Sequence, residues 1–370
     1  MSTPSTSGRT FEGTPRADGT VGVRDNVLVL PSVICSHFVA ERIAARVDDA
    51  VATPHDHGCA QLGADNEQTR RTFLSMAQNP NVAGAVVVGL GCEEVQSAEV
   101  ATALESRDVA VRELSIQGVG GTDECIERGV EAATELVRSR HTSQTVADLS
   151  DLTLGVVSSD LDASTIESAD PLVGRVADEI VDAGGRVVAA GNERLVANPD
   201  EARRAATDEA REAMDALLDR HEGHPARATR VGQFARDRPF EDVTRAWGEN
   251  TVSEVLPYGE RATLSTGLAA VDAPSRFAEA TTALAAAGAN VVVHVTGDGI
   301  LSGHPLVPVV KMTGDPGTAA ALPNDISLSA RRADPDDVLE RLVDVANGTA
   351  CLAEEHGLTE FAITRVGPSM

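Results

Sequence analysis

Residues 83–94 read AGAVVVGLGCEE: a run of small and branched apolar residues that ends in a glycine-rich polar turn. A short, unbroken apolar run of this kind is the pattern of a strand buried on both faces, as in a parallel sheet. The turn carries Cys92, Glu93 and Glu94 and leads into a helical pattern over 95–106. The same unit recurs on either side. Val27 to Leu30 is a strand closed by Pro31, and a helix with Val39, Ile43 and Val47 at helical spacing follows it. Residues 51–53 form a second strand and open onto PHDHGCAQ, residues 54–61, with Gly58 free to take a backbone angle closed to bulkier residues. A helix from Asp65 to about Gln78 stops at Asn79-Pro80-Asn81. A fourth strand over 109–114, the glycine turn 118–121 and a helix over 122–140 complete the series. Strands alternating with helices predict a mostly parallel sheet with helices on both faces.

The polar stretch 139–150 is a predicted domain boundary, after which the alternation restarts. Strands are expected over 152–157, 186–190, 290–295 and 307–311, and a closing strand over 361–364. Helices are expected from Pro171, over 199–221 as one long segment, over 275–287 and over 335–347; residues 223–257 carry weak signals, anchored by Phe240 and Trp247. The expected architecture is two Rossmann-like α/β domains, 22–148 and 149–370, behind a disordered tail over 1–21. In open sheets of this class, ligands sit at the carboxyl ends of strands. The loops at 54–61 and 89–94 both occupy that position. Their polar side chains are expected to converge on one ligand or metal, the alternative being two ordinary turns whose His and Cys merely pack.

Composition narrows the function. Hydrophobic residues make up 42% of the 370, enough for a sizeable core, yet aromatics are only 2%, so Val, Ala, Leu and Ile must build it. A formal charge of -26 argues against nucleic acid, which requires clustered Lys and Arg. The acidic excess runs along the whole chain and matches a halophilic, cytoplasmic habitat, where salt screens self-repulsion. No run of eighteen apolar residues suggests a membrane span, and the first twenty residues lack the apolar stretch of a signal peptide. Five cysteines, an odd number with no CxxC pair, argue against a disulfide framework or a zinc ribbon. Lysine has been all but eliminated: the only one is Lys311, which marks a place where a compact ammonium does something a guanidinium does not.

Taken together, these residues resemble the altronate/galactarate dehydratase family over nearly the whole chain after the tail. The resemblance is carried by Gly22 to Pro31, Cys35, Ala40 to Ala44, the His55…Gly58-Cys59 loop, Asn79-Pro80-Asn81, Gly89-Leu90-Gly91-Cys92-Glu93 and Gly120-Gly121-Thr122. Late in the chain, Thr296-Gly297-Asp298-Gly299 is similar to the family's TGRG, and 308–314, from Pro308 through Lys311 to Gly314, to its P-x-x-K motif. The resemblance implies an iron-dependent lyase that removes water from an aldonate or aldarate to give a 2-keto-3-deoxy acid. It further implies a separate small N-terminal-domain subunit as partner and a homo-oligomer. Related lyases of this architecture release sulfite instead. The chain departs from the pattern where Val156 replaces a cysteine and Asp298 an arginine, where Asp272-Ala273-Pro274-Ser275 replaces Asp-Thr-Pro-Gly, and where the Glu-Lys-Ser stretch is unrecognisable within 230–250. A sugar-acid-binding or partner subunit without catalysis is therefore the alternative reading.

Dehydration needs a base for the proton beside the carboxylate, a Lewis acid for the enediolate and an acid for the departing hydroxyl. For a ferrous ion, imidazole, thiolate and carboxylate all serve, which makes His55, Cys59, Cys92 and Glu93 the expected ligands, with Cys35 a further thiol. The catalytic candidates are His55, His57, Glu93 and Lys311. Gln61, Ser159, Asp160, Lys311 and Thr313 are the substrate-binding candidates, Lys311 through the substrate carboxylate. Cys125 and Cys351 lie in helical patterns and are expected in the core.

Overall fold

A computed structural model describes residues 9–140, 143–222 and 229–366. The first half forms a four-stranded parallel sheet of order β4-β3-β5-β6, made of β3 (Asn26–Pro31), β4 (Ala50–Ala52), β5 (Val82–Gly89) and β6 (Val111–Ser115). Side-chain alternation in β3 explains how this sheet is covered on two sides. Val27 and Val29 point to one face, with Val39 and Ile43 of helix His37–Ala44 and Ile126 and Ala133 of helix Thr122–Ser139. Leu28 and Leu30 point to the other, into a core that also holds Phe73, Met76, Val100 and Leu104 and runs on without interruption into the second half.

That second half is a seven-stranded parallel sheet of order β10-β11-β9-β8-β12-β13-β14. Its strands are β8 (Thr153–Ser158), β9 (Arg186–Ala189), β10 (Val252–Leu256), β11 (Gly267–Val271), β12 (Val291–Val295), β13 (Val309–Thr313) and β14 (Leu328–Ser329). From β8 the chain passes to β9 and on to β10 at the edge, returns to insert β11 between β9 and β10, then crosses to β12 and winds the other way, so the strand order reverses between β8 and β12. Both sheets are the doubly wound parallel layers that the alternation predicts.

Several expectations need correction. Residues 9–21 are no disordered tail: β1 (Thr10–Pro15) pairs antiparallel with β2 (Val21–Gly22) and with β7 (Thr145–Asp148), and Phe11 is 2% exposed. Alternation in β1 was masked by its small polar residues, and its partner β7 lies inside the stretch read as a boundary. The single helix over 199–221 is two, Pro199–Ala205 and Arg211–His221, because Ala206 is extended and bridges Val252. Residues 361–364 form no strand; Tyr258 Oη anchors them by donating to the Ala362 carbonyl. β10 is broken by Ser253 and Glu254, and the apolar run of β11 is half alanine, which favours a strand less than the valine and leucine of β3.

The two halves are joined by asparagines. Asn81 accepts from Val23 and Arg24 N–H through Oδ1 and donates to the carbonyls of Asn290 and Leu306 through Nδ2. Asn79 donates to the carbonyls of Ala285 and Ala289. The Asn79-Pro80-Asn81 helix stop is thus also the clasp between the sheets.

Candidate active site

At the carboxyl ends of β3, β4 and β5, three loops are stitched together by their own backbone. Ile34 N–H donates to the His57 carbonyl at 2.8 Å and Glu94 N–H to the Gly58 carbonyl at 3.2 Å. Gly58 sits at φ +89, and a Cβ there would lie 2.1 Å from the Ser32 carbonyl oxygen, so only glycine fits. The PHDHGCAQ and GLGCEE turns are therefore adjacent and carry Cys59 and Cys92, with Cys35 on the loop after β3; all three are exposed free thiols.

The polar groups between these thiols are already engaged. His55 is buried; its Nε2 donates to the Pro31 carbonyl at 2.6 Å while its Nδ1 accepts from His57 N–H at 3.1 Å. Burial pushes its imidazole down to about 4, so it is neutral at ordinary pH. Glu93 Oε2 accepts from Gly91 N–H at 2.6 Å and Cys92 N–H at 2.9 Å, and its Oε1 from Ser32 Oγ at 3.0 Å. Burial alone would raise Glu93, but the Gly91 N–H and its fellow donors outweigh it and hold the carboxyl below its ordinary value. Among the described residues, no group of three or more His, Cys, Asp or Glu side chains could hold a metal ion. His55 and Glu93 fold the loops; the two thiols remain outward-facing donors. The four expected ligands do not form a ready coordination set.

His57 belongs to a different surface. Gln61 Oε1 accepts from Gly58 N–H at 3.1 Å, which turns the amide NH2 of Gln61 toward His57 Nδ1 at 2.6 Å. Desolvation holds His57 below its ordinary value. With Asp56, it lines a cleft of about 1150 Å³ between the halves. The floor of this cleft comes from helix Ala64–Ala77 through Glu67, Gln68 and Arg71. The opposite wall comes from the carboxyl ends of β9 (Asn192, Glu193), β10 (Tyr258) and β11 (Asp272, Arg276), together with Arg220 and His221 at the end of their helix. Arg236 and Arg365 complete a set of five guanidinium groups. A cleft rich in arginine and hydrogen-bonding groups suits a polyhydroxy acid.

Opposite His57 lies a cluster that the sequence reading missed. His221 Nε2 stands 2.7 Å from Asp272 Oδ1, Asn192 Nδ2 donates to the same oxygen at 2.8 Å, and Arg220 Nε donates to Oδ2 at 3.0 Å. Burial would raise Asp272, but His221, Asn192 and Arg220 more than offset it and keep the carboxylate below its ordinary range. Glu193 accepts from Ser275 N–H and Oγ. The available signal was the aspartate of the Asp-x-Pro motif; nothing marked His221, the last residue of a polar helix.

The remaining second-half candidates gather where the strand order reverses. Asp160 accepts from Gly297 N–H (2.7 Å) and Thr165 Oγ (2.5 Å), and Ser159 Oγ is 2.7 Å from His294 Nε2. Ser159 and Asp160 line a crevice of only about 80 Å³. Thr313 is buried and its Oγ accepts from Asp315 N–H. Lys311 is fully buried beside His294 on the neighbouring strand, and its Nζ has no hydrogen-bond partner among the described residues. Desolvation holds its amine below the ordinary value. Cys125 and Cys351 are buried, as expected of core residues.

Residues 13–141 match the second domain of D-galactarate dehydratase/altronate hydrolase, and residues 244–369 match the C-terminal domain of D-galactarate/altronate dehydratase. An altronate dehydratase of Bacillus subtilis is 30% identical across 99% of this chain and 80% of its own length. One from Escherichia coli is 30% identical across 96% and 77%. The (2R)-sulfolactate sulfo-lyase subunit beta of Chromohalobacter salexigens is 29% identical across 97% of this chain and 98% of its own. No helix among the described residues is long and apolar enough to cross a membrane.

Proposed function

The chain belongs to the galactarate/altronate dehydratase family and is an enzyme of the carbon–oxygen lyase class, and from that premise we propose that it removes water from an altronate- or galactarate-like acid to give a 2-keto-3-deoxy acid. The observation that carries the site assignment is the cleft between the two sheets. It alone among the described cavities combines family loop residues with an arginine set and room for a six-carbon acid. In this reading the guanidinium groups of Arg71, Arg220 and Arg276 hold the substrate carboxylate and His57 faces the hydroxyl groups, while Gln61, buried with both amide atoms engaged, orients His57. Residues 362–366 line the same cleft.

A ferrous ion stays part of this proposal through the exposed thiols of Cys59 and Cys92, whose chemistry suits it. The four-residue ligand set does not fit it, since His55 and Glu93 spend their lone pairs on the loops. Each proton step is accordingly assigned to the chain's own residues. Lys311 is kept at a cost to stability, the mark of a group retained for use.

The test is a panel of aldonates and aldarates at high salt with added ferrous ion, read by colour development from 2-keto-3-deoxy acid. Product from altronate or galactarate supports the proposal, and its absence across the panel, with a small N-terminal-domain subunit supplied, refutes it. Sulfite release is the second reading, favoured because this chain and the sulfo-lyase beta subunit cover each other almost end to end. Sulfolactate in the same panel, read by free sulfite, separates the two.

A further inference from the structure

Resting on the dehydratase reading, we propose that the cleft selects a dicarboxylic sugar acid, an aldarate, over an aldonate: Arg71 with Arg220 holds the carboxylate beside the reacting carbon, and Arg236 is the specificity-determining residue that meets the carboxylate at the far end.

The five cleft arginines are not equivalent. Arg220 Nε meets Asp272 at 3.0 Å, Arg276 Nη1 meets Glu279 at 3.1 Å, and Arg365 Nη2 meets Asp56 at 3.0 Å. Arg71 and Arg236 have no carboxylate within 4 Å among the described residues. Two guanidinium groups without a carboxylate of their own offer an incoming anion donors it need not compete for.

Arg71 is built into its place. Its Nε and Nη2 both donate to the Tyr258 carbonyl, at 3.0 and 2.9 Å, and so tie helix Ala64–Ala77 to the turn after β10. Gly259, at φ +78, lets that turn lie against the helix, since a Cβ there would stand 2.2 Å from Thr72 Oγ1. Desolvation holds the Arg71 guanidinium below its ordinary value, and Arg220 is the one other cleft arginine among the described residues whose charge bears on it. Two like charges thus share one end of the cleft, each with N–H groups beyond those already spent. A carboxylate between them offsets both the repulsion and the lost hydration.

Arg236 forms the other end. It closes helix Arg230–Arg236, which is fixed to the cleft wall where Thr229 Oγ1 donates to Glu193 Oε1 at 3.4 Å and Asn198 Nδ2 to the Ala235 carbonyl at 3.1 Å. Gly232 lies four residues earlier on the same helix face and lines the same cleft, so Arg236 is presented to it. Its charge is not among those that bear on Arg71, and the two positive ends are therefore separate. An aldonate ends there in a neutral CH2OH group. An aldarate ends in a second carboxylate, which a guanidinium can hold through two parallel N–H groups. A cleft of about 1150 Å³ has room for the six-carbon chain between the ends.

The experiment gives the full chain galactarate and altronate under identical conditions and compares kcat/KM for keto-acid formation. Galactarate is expected to lead by about tenfold or more, because altronate lacks the charge-assisted pair at the far end. Arg236→Gln should lower the galactarate-to-altronate ratio about tenfold, mainly through KM; Arg236→Glu should lower it further, and Arg236→Lys should restore part of it. Arg71→Gln should lower kcat/KM for both acids and leave the ratio in place. The midpoint of thermal unfolding reads the same selectivity without turnover. At equal concentration and ionic strength galactarate should raise it more than altronate does, and Arg236→Gln should remove the difference. Altronate turned over as well as galactarate, or a ratio unmoved by all three substitutions at Arg236, overturns the assignment and leaves the dehydratase reading standing. Absence of turnover on both acids removes the dehydratase reading, and equal midpoint shifts then remove this one as well.

Discussion

Glu93 is the sharpest test of whether the GLGCEE loop does chemistry or holds shape. Its carboxylate takes two backbone N–H groups on one oxygen and the Ser32 hydroxyl on the other, with Ser97 N–H a longer contact at 3.4 Å. In Glu93→Gln the amide oxygen stays on the two N–H groups as a neutral acceptor. The NH2 then meets Ser32, whose hydroxyl turns to accept, and faces Ser97 N–H with nothing to offer it. Hydrogen bonds to charged groups contribute roughly 1.5–3 kcal/mol against about 1 for neutral ones, so losing the charge on two or three bonds costs about 2–3 kcal/mol. Urea unfolding at pH 7 should therefore show a lower midpoint with an unchanged slope. The pH dependence has a definite sign. Because the folded carboxyl lies below its ordinary value, its stabilisation is complete above about 4.5 and vanishes as pH falls through the folded value. The gap between wild type and Glu93→Gln should thus be constant from pH 6 to 8 and close in acid. Turnover of the folded variant should stay within about tenfold of wild type, well short of the loss expected for a missing acid–base group. An unchanged urea midpoint together with a hundredfold loss of kcat would refute the clamp and make Glu93 a group that acts on substrate.

Three further outcomes follow from buried polar groups. His55, His294 and His304 are pushed down by burial to about 4, 3 and 3, so the unfolded chain binds their protons first and the fold weakens as pH drops below about 6.5. At pH 5 each should cost about 2 kcal/mol, and His304→Leu should lower the number of protons taken up on unfolding by one, measured from the pH dependence of the urea midpoint. Asn81→Ala strips four hydrogen bonds, two of which, to the Asn290 and Leu306 carbonyls, cross between the halves; a loss of about 3 kcal/mol is expected, and a loss under 1 would mean that Asn81 adds little to what packing already holds. Lys311→Met removes a buried amine whose Nζ has no hydrogen-bond partner among the described residues, so the melting temperature should rise; an unchanged or lower melting temperature would show that the lysine does not strain the fold.

How much of this was legible in the chain depends on the range over which each interaction acts. Val27 to Leu30 and the valines of 86–88 announced parallel strands because burial on both faces leaves its mark within a few residues. The loops at 54–61 and 89–94 announced themselves because strand ends in such sheets are where polar groups gather, and Gly58 carries a positive φ that only its crowded setting against Ser32 explains. Which lone pairs those loops leave unused was not legible. His55 looks like a ligand in sequence, yet its two nitrogens are spent on Pro31 and on His57, and only coordinates reveal a carbonyl twenty-four positions away. The cleft lay further beyond reach. His221 and Asp272 are fifty-one positions apart, and His57 is far from both; the winding of the second sheet brings β9, β10 and β11 to the same edge and aims them at the first. A pattern reader weighs residues by their neighbours in the chain, and a histidine ending a polar helix has none that speak for it. The carboxylate it meets, Asp272, is brought to it by topology, from the carboxyl end of β11, and a one-dimensional pattern cannot carry that pairing.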